Sequence, residues 1–154
     1  MYKKILVPMD GSELSELSLE HVKAIAKGCQ VPEVVLLGVV EPIVQYGELS
    51  GFMSADWGVQ AEKQTLDWLK GYLAKWSDKL SSEGINVKTA VAYGRAAEQI
   101  LEYASKNNVD LVVMTTRGRS GVARWALGSV ADRVVRYSVA PVLVVSPRGT
   151  KGVK

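Results

Sequence analysis

The chain has 154 residues, 47% of them hydrophobic and 23% charged, with a formal net charge of +3. That length fills one domain with a proper core and is short for two, and no apolar run approaches the roughly 20 residues that span a bilayer. Residues 3–7 enter an apolar run with no signal-peptide layout, and the single cysteine, Cys29, can form no internal disulfide, so a cytoplasmic protein is expected.

The sequence pI is near 9.0, which would suggest a nucleic-acid surface if the basic residues were clustered. They are scattered, apart from Arg117, Arg119 and Arg124 and a basic stretch at residues 148–154. Nucleic-acid binding is therefore a minor reading.

Residues 3–9 form a short apolar run closed by Pro8, after which Asp10, Gly11 and Ser12 make a turn. Leu14, Leu17, Val22 and Ile25 then fall on one helical face, with Ser12 as N-cap and Gly28 as the stop. Cys29 is expected to pack at that helix end, and His21 to lie on the surface. Residues 34–40 are almost wholly apolar, the mark of a strand buried on both faces in a parallel sheet.

Residues 41–58 show no sustained period and read as a long loop whose Tyr46, Phe52 and Trp57 suit a lid or partner surface. Leu66, Leu69, Leu73, Trp76 and Leu80 make the core stripe of a helix of about six turns that Gly84 ends. Residues 85–93 alternate as an edge strand would. A helix carrying Ala97, Ile100, Leu101 and Ala104 leads to a fourth, buried strand at residues 109–114. The last helix runs over residues 129–138 with Val130, Val134, Val135 and Tyr137, and the last strand over residues 142–145.

The stretch between the fourth strand and the last helix carries the functional signal. An apolar strand ending at Met114 and Thr115 runs into a loop with Gly118, Gly121 and Gly128, then into a helix opened by Ser129. Helix N-termini expose unpaired N–H groups and favour anions, and glycine lets a ligand approach the backbone. No acidic residue interrupts positions 115–131. The same composition suits a solvated loop, and the context decides between them.

Five strands alternating with four helices imply a single-domain three-layer α/β sandwich with right-handed crossovers over residues 1–147, followed by a flexible basic tail at 148–154. In such sheets ligands bind outside the carboxyl ends of the strands, where the strand order reverses. With a parallel order of 3-2-1-4-5, assigned by analogy, Asp10 faces the glycine loop. Asp10 is also an ordinary turn former, and ligand recognition is the preferred reading.

At these residues the chain resembles the universal stress proteins, in the subgroup that binds ATP. That subgroup carries glycine, two residues, glycine, nine residues, then glycine and serine or threonine; Gly118, Gly128 and Ser129 fit the second and third parts, while Thr115 stands at the first glycine. The opening at residues 3–12 and the closing stretch at residues 140–145 are also similar. The resemblance implies a Rossmann-like fold of the adenine nucleotide alpha hydrolase type. It implies adenine near Asp10 and Val39, with Pro8, Met114 and Thr115 bordering ribose and base. Gly118, Arg119, Gly128, Ser129 and Val130 would hold the triphosphate, Gly121 belongs to the same cradle, and Mg or Mn would arrive with ATP. At Thr115 a branched side chain is expected to crowd the ribose if the position needs positive φ or close approach.

The loop lacks the GxxxxGK[ST] spacing of a P-loop, and no serine or cysteine has an evident histidine partner. At most slow ATP hydrolysis is expected. The favoured reading is a cytoplasmic ATP-binding stress or signalling module that pairs as a homodimer through Val142, Leu143, Val144 and Val145. The alternatives are a nucleotide-independent dimeric interaction protein and a slow ATPase or nucleotidyl-transfer enzyme on the same site.

Overall fold

The computed structural model describes residues 1–42, 55–116 and 128–147. Expectations that fall on residues 43–54, 117–127 and 148–154, including those for Gly118, Arg119, Gly121 and the tail, lie outside the described residues.

The described elements are β1 (Lys4–Pro8), α1 (Glu13–Glu16), α2 (Ser18–Gly28), β2 (Glu33–Val40), α3 (Ala55–Ser82), β3 (Val87–Tyr93), α4 (Ala96–Lys106), β4 (Leu111–Thr115), α5 (Ser129–Tyr137) and β5 (Val142–Val145). The five strands form one sheet in the order β3-β2-β1-β4-β5, every neighbouring pair parallel. Ile5 pairs with Val34 on one side and Leu111 on the other, so β1 is the sheet's centre. As the unbroken apolar runs required, β1, β2 and β4 are buried on both faces.

One apolar cluster joins Ile5, Val7, Leu36 and Val113 to Leu19 and Val22 of α2 and to Leu69, Leu73 and Leu80 of α3. The other joins Leu6, Leu37, Val112 and Met114 to Ile100 and Ala104 of α4 and Val134 of α5. Helices thus cover both faces, giving the three layers expected. The stripe on α3 meets the sheet where β2 carries Gly38, whose missing side chain makes room: a Cβ there would lie 2.5 Å from Leu69 Cδ2.

Three local expectations are corrected. The first helix is two: Ser12 caps α1 by accepting the Ser15 N–H at 3.2 Å, but the Ser15 and Ser18 hydroxyls donate to carbonyls three residues back, at Ser12 and Ser15. Such side-chain bonds compete with the helical ladder, and the chain breaks at Leu17. α3 has 28 residues and begins at Ala55, so residues 55–58 belong to a helix and not to the loop. Cys29 is exposed, so it has no packing role at the end of α2; Gly28 is the last residue of that helix as expected, and the left-handed residue that follows is Gln30, at φ 51. Gly84, at φ +89, ends α3 as expected, with its N–H donating to Ser81 O.

Tyr72 of α3 ties that helix to α1, its hydroxyl donating to Glu16 Oε1 at 2.7 Å. Burial, then that bond, push the phenol above its ordinary value. A raised folded pKa holds its stabilisation below the unfolded value near pH 10 and loses it as pH rises past that value. The wild type should therefore lose stability above about pH 10 more steeply than Tyr72→Phe, which should already be weaker by about 1 kcal/mol at neutral pH. Urea unfolding across an alkaline series checks both, and parallel pH profiles would contradict the coupling.

Candidate functional site

β1 lies between β2 and β4, so the crossovers leaving β1 and β4 run to opposite sides and open a crevice above their carboxyl ends. A cavity of about 230 Å³ occupies it. Of the residues expected there, Pro8, Asp10, Val39, Met114, Thr115, Gly128, Ser129 and Val130 all line it. Gly118, Arg119 and Gly121 lie outside the described residues.

Each wall has a local cause. Asp10 follows β1, where its Oδ1 accepts the Ser12 N–H at 2.9 Å and the Ser12 hydroxyl at 2.5 Å, which fixes the turn into α1. Gly128 is the N-cap of α5 at φ 86 and ψ 154, a conformation that side chains disfavour, and it supplies no side-chain cap. The first backbone bond of α5 runs from Asp132 N–H to Gly128 O, at 2.9 Å. Among the described residues, no group accepts from the amides of Ser129 and Val130. An uncapped helix start at a cavity wall has the chemistry of an anion site.

Thr115 is the last residue of β4, paired with Val145 and without positive φ, so a glycine is not needed there for backbone conformation. Strand alternation puts its side chain on the face of Leu111 and Val113, whereas Leu37, Val39, Met114, Ile100 and Ala131 line the cavity from the other face. Thr115 lines the cavity all the same. The Thr115 Oγ1 is the one buried side-chain polar atom, among the described residues, with no hydrogen-bond partner.

Sequence reasoning missed Glu41, Ser15, Ala96 and Ile100, which also line the cavity. Glu41 was detectable: a carboxylate directly after a buried strand stands at the ligand-binding edge of a parallel sheet. His21 is exposed on α2, as expected. No group of three or more His, Cys, Asp or Glu able to hold a metal occurs among the described residues, and none of the described helices is long and apolar enough to cross a membrane.

A parallel sheet of this order, with a crevice at its switch point bounded by the start of α5, defines an α/β nucleotide-binding fold. The model of the Universal stress protein family matches residues 1–146, and the chain belongs to that family. It is similar to the universal stress protein MJ0531 of Methanocaldococcus jannaschii, 35% identical over 152 residues that cover 94% of this chain and 82% of the relative. MJ0577 of the same organism is 30% identical over 160 residues, covering 97% of this chain and 98% of the relative. A solved structure of MJ0577 matches with a TM-score of 0.78 over 95% of this chain and 96% of its own. A universal stress protein solved in complex with cAMP shares the fold at 21% identity and a TM-score of 0.67, covering 94% of this chain and 97% of its own.

Proposed function

We propose that the chain binds ATP in the crevice above β1 and β4 and acts as a nucleotide-dependent stress or signalling module in the cytoplasm. The observation that carries this reading is the uncapped start of α5, whose Ser129 and Val130 amides have no acceptor among the described residues, across one cavity from Asp10. Phosphates take the helix start, and the base takes the far end near Val39. Gly118, Arg119 and Gly121 complete the triphosphate cradle in the proposal, and Mg or Mn arrives on the phosphates. The complex of a related protein with cAMP supports an adenine nucleotide as the ligand class.

Isothermal titration with MgATP is expected to give sub-millimolar binding, weakened roughly tenfold or more by Gly128→Ala, which forces the helix start out of position. No heat at millimolar nucleotide would overturn the reading. Turnover is expected to be slow at most, because the described residues place no base beyond Asp10 and Glu41 at the cavity.

A homodimer through β5 belongs to the same proposal. β5 is an edge strand whose Val142, Leu143 and Val144 are only partly buried, and pairing with a second copy covers them. Light scattering should then give twice the chain mass of 16.7 kDa. A single-chain mass at micromolar concentration would contradict pairing.

A further inference from the structure

Two helix starts meet this cavity, those of α4 at Ala96 and α5 at Ser129, and they differ in one respect. The start of α5 has no side-chain cap among the described residues. That of α4 has none from its own N-cap, Arg95, but Glu41 reaches it from the end of β2: Glu41 Oε1 accepts the Ala96 N–H at 3.2 Å. The chain's own carboxylate thus occupies the anion-attracting end of α4, while no described residue occupies that of α5. Glu41 Oε2 has no partner among the described residues, and Glu41 is itself part of the cavity wall.

This asymmetry orients any ligand with an anionic tail, because phosphate is repelled from the Glu41 end and welcomed at the Ser129 end. β4, which feeds α5, and β2, which ends at Glu41, are two strand spacings apart, about 10 Å. A nucleoside has that length, so phosphates at α5 bring the base edge to Glu41. A carboxylate facing position 6 accepts from an amino group and repels a carbonyl oxygen, so a contact at that atom favours the amino group.

We propose that Glu41 is a specificity-determining residue: held at the start of α4, its carboxylate selects a 6-aminopurine over a 6-oxopurine at the base end of the cavity. This rests on the nucleotide reading above. Glu41→Gln is the informative variant, since its amide oxygen can still cap Ala96 while its amide nitrogen can donate to a 6-oxo group.

Titrations of the full chain with MgATP and with the magnesium salt of inosine triphosphate test the proposal, because the two ligands differ only at position 6 and the adjoining N1: an amino group beside a bare nitrogen in ATP, a carbonyl beside an N–H in inosine triphosphate. Wild type should bind ATP about tenfold or more tightly than inosine triphosphate, the range of one hydrogen bond to a charged group. Glu41→Gln should narrow the ratio to about threefold or less, and Glu41→Ala should lower it by weakening ATP alone, each with the wild-type circular dichroism spectrum. An unchanged ratio in both variants, with ATP still bound, would overturn the role of Glu41 and leave the nucleotide reading intact. If wild type binds neither nucleotide, both fall.

Discussion

Replacing Leu73 by alanine is expected to lower the unfolding free energy by about 3 kcal/mol, a large fraction of what a domain of this size possesses. Leu73 is 0% exposed, at the middle of the α3 stripe between Leu69 and Leu80, in the cluster that includes Val34 and Leu36 of β2. Alanine would remove its apolar area and leave a void that α3 cannot collapse into, because Leu69 fills the space above Gly38 on one side and Leu80 is pinned on the other. Lys75, exposed on the side of α3 away from that stripe, provides the control: Lys75→Ala should change stability by less than about 0.5 kcal/mol. Urea unfolding with an unchanged slope reads both, and a loss below about 1 kcal/mol for Leu73→Ala would contradict the packing described.

Gly11→Ala is expected to cost about 2 to 3 kcal/mol and to weaken nucleotide binding at the same time. Gly11 holds φ +87, which an L side chain disfavours by about 1 to 2 kcal/mol. A Cβ there would also lie 2.3 Å from Trp68 Cη2 and 2.6 Å from its Cζ3. Trp68 is 56% exposed and can swing away, but it is stacked on Tyr72 with ring centroids 5.3 Å apart, so yielding breaks that contact. The turn also holds Asp10 through the Ser12 bonds, and moving Gly11 displaces a wall of the cavity. The expected signature is a lower unfolding midpoint, altered tryptophan fluorescence and a weaker MgATP titration together. Full stability with unchanged fluorescence would show that the tight approach of Trp68 is not maintained in solution.

The sheet was legible because burial on both faces leaves a direct mark: residues 34–40 and 109–114 carry no polar alternation, and only a covered parallel strand needs that. The α3 stripe was legible for the same reason. The break between α1 and α2 was not, since Leu14, Leu17 and Val22 keep helical spacing across it, and its cause is the pair of hydroxyl bonds of Ser15 and Ser18. Nor was the start of α3 at Ala55, because the glycines and aromatics before it hide the period. The left-handed turn at Gln30 escaped notice because Gly28, two residues earlier, is the better residue for it by propensity alone.

At the site, Asp10 and Gly128 were legible as a turn carboxylate and a helix-opening glycine. Glu41 and Ala96, 55 positions apart in sequence, are joined only by the fold. Residue 115 shows the limit of motif reasoning. A branched side chain stands where the motif has glycine; it lines the cavity, and among the described residues its buried hydroxyl has no partner, which no sequence motif foretells.

The proposed ATP complex stands on a polyanionic nucleotide gripping the amides at the start of α5. Amide NMR during a MgATP titration tests it most directly. The Ser129 and Val130 resonances should shift together with those of Asp10 and Val39, saturating at one stoichiometric equivalent, while Val22 in α2 stays still. Saturable binding that leaves Ser129 and Val130 unmoved, or shifts confined to another surface, would contradict it.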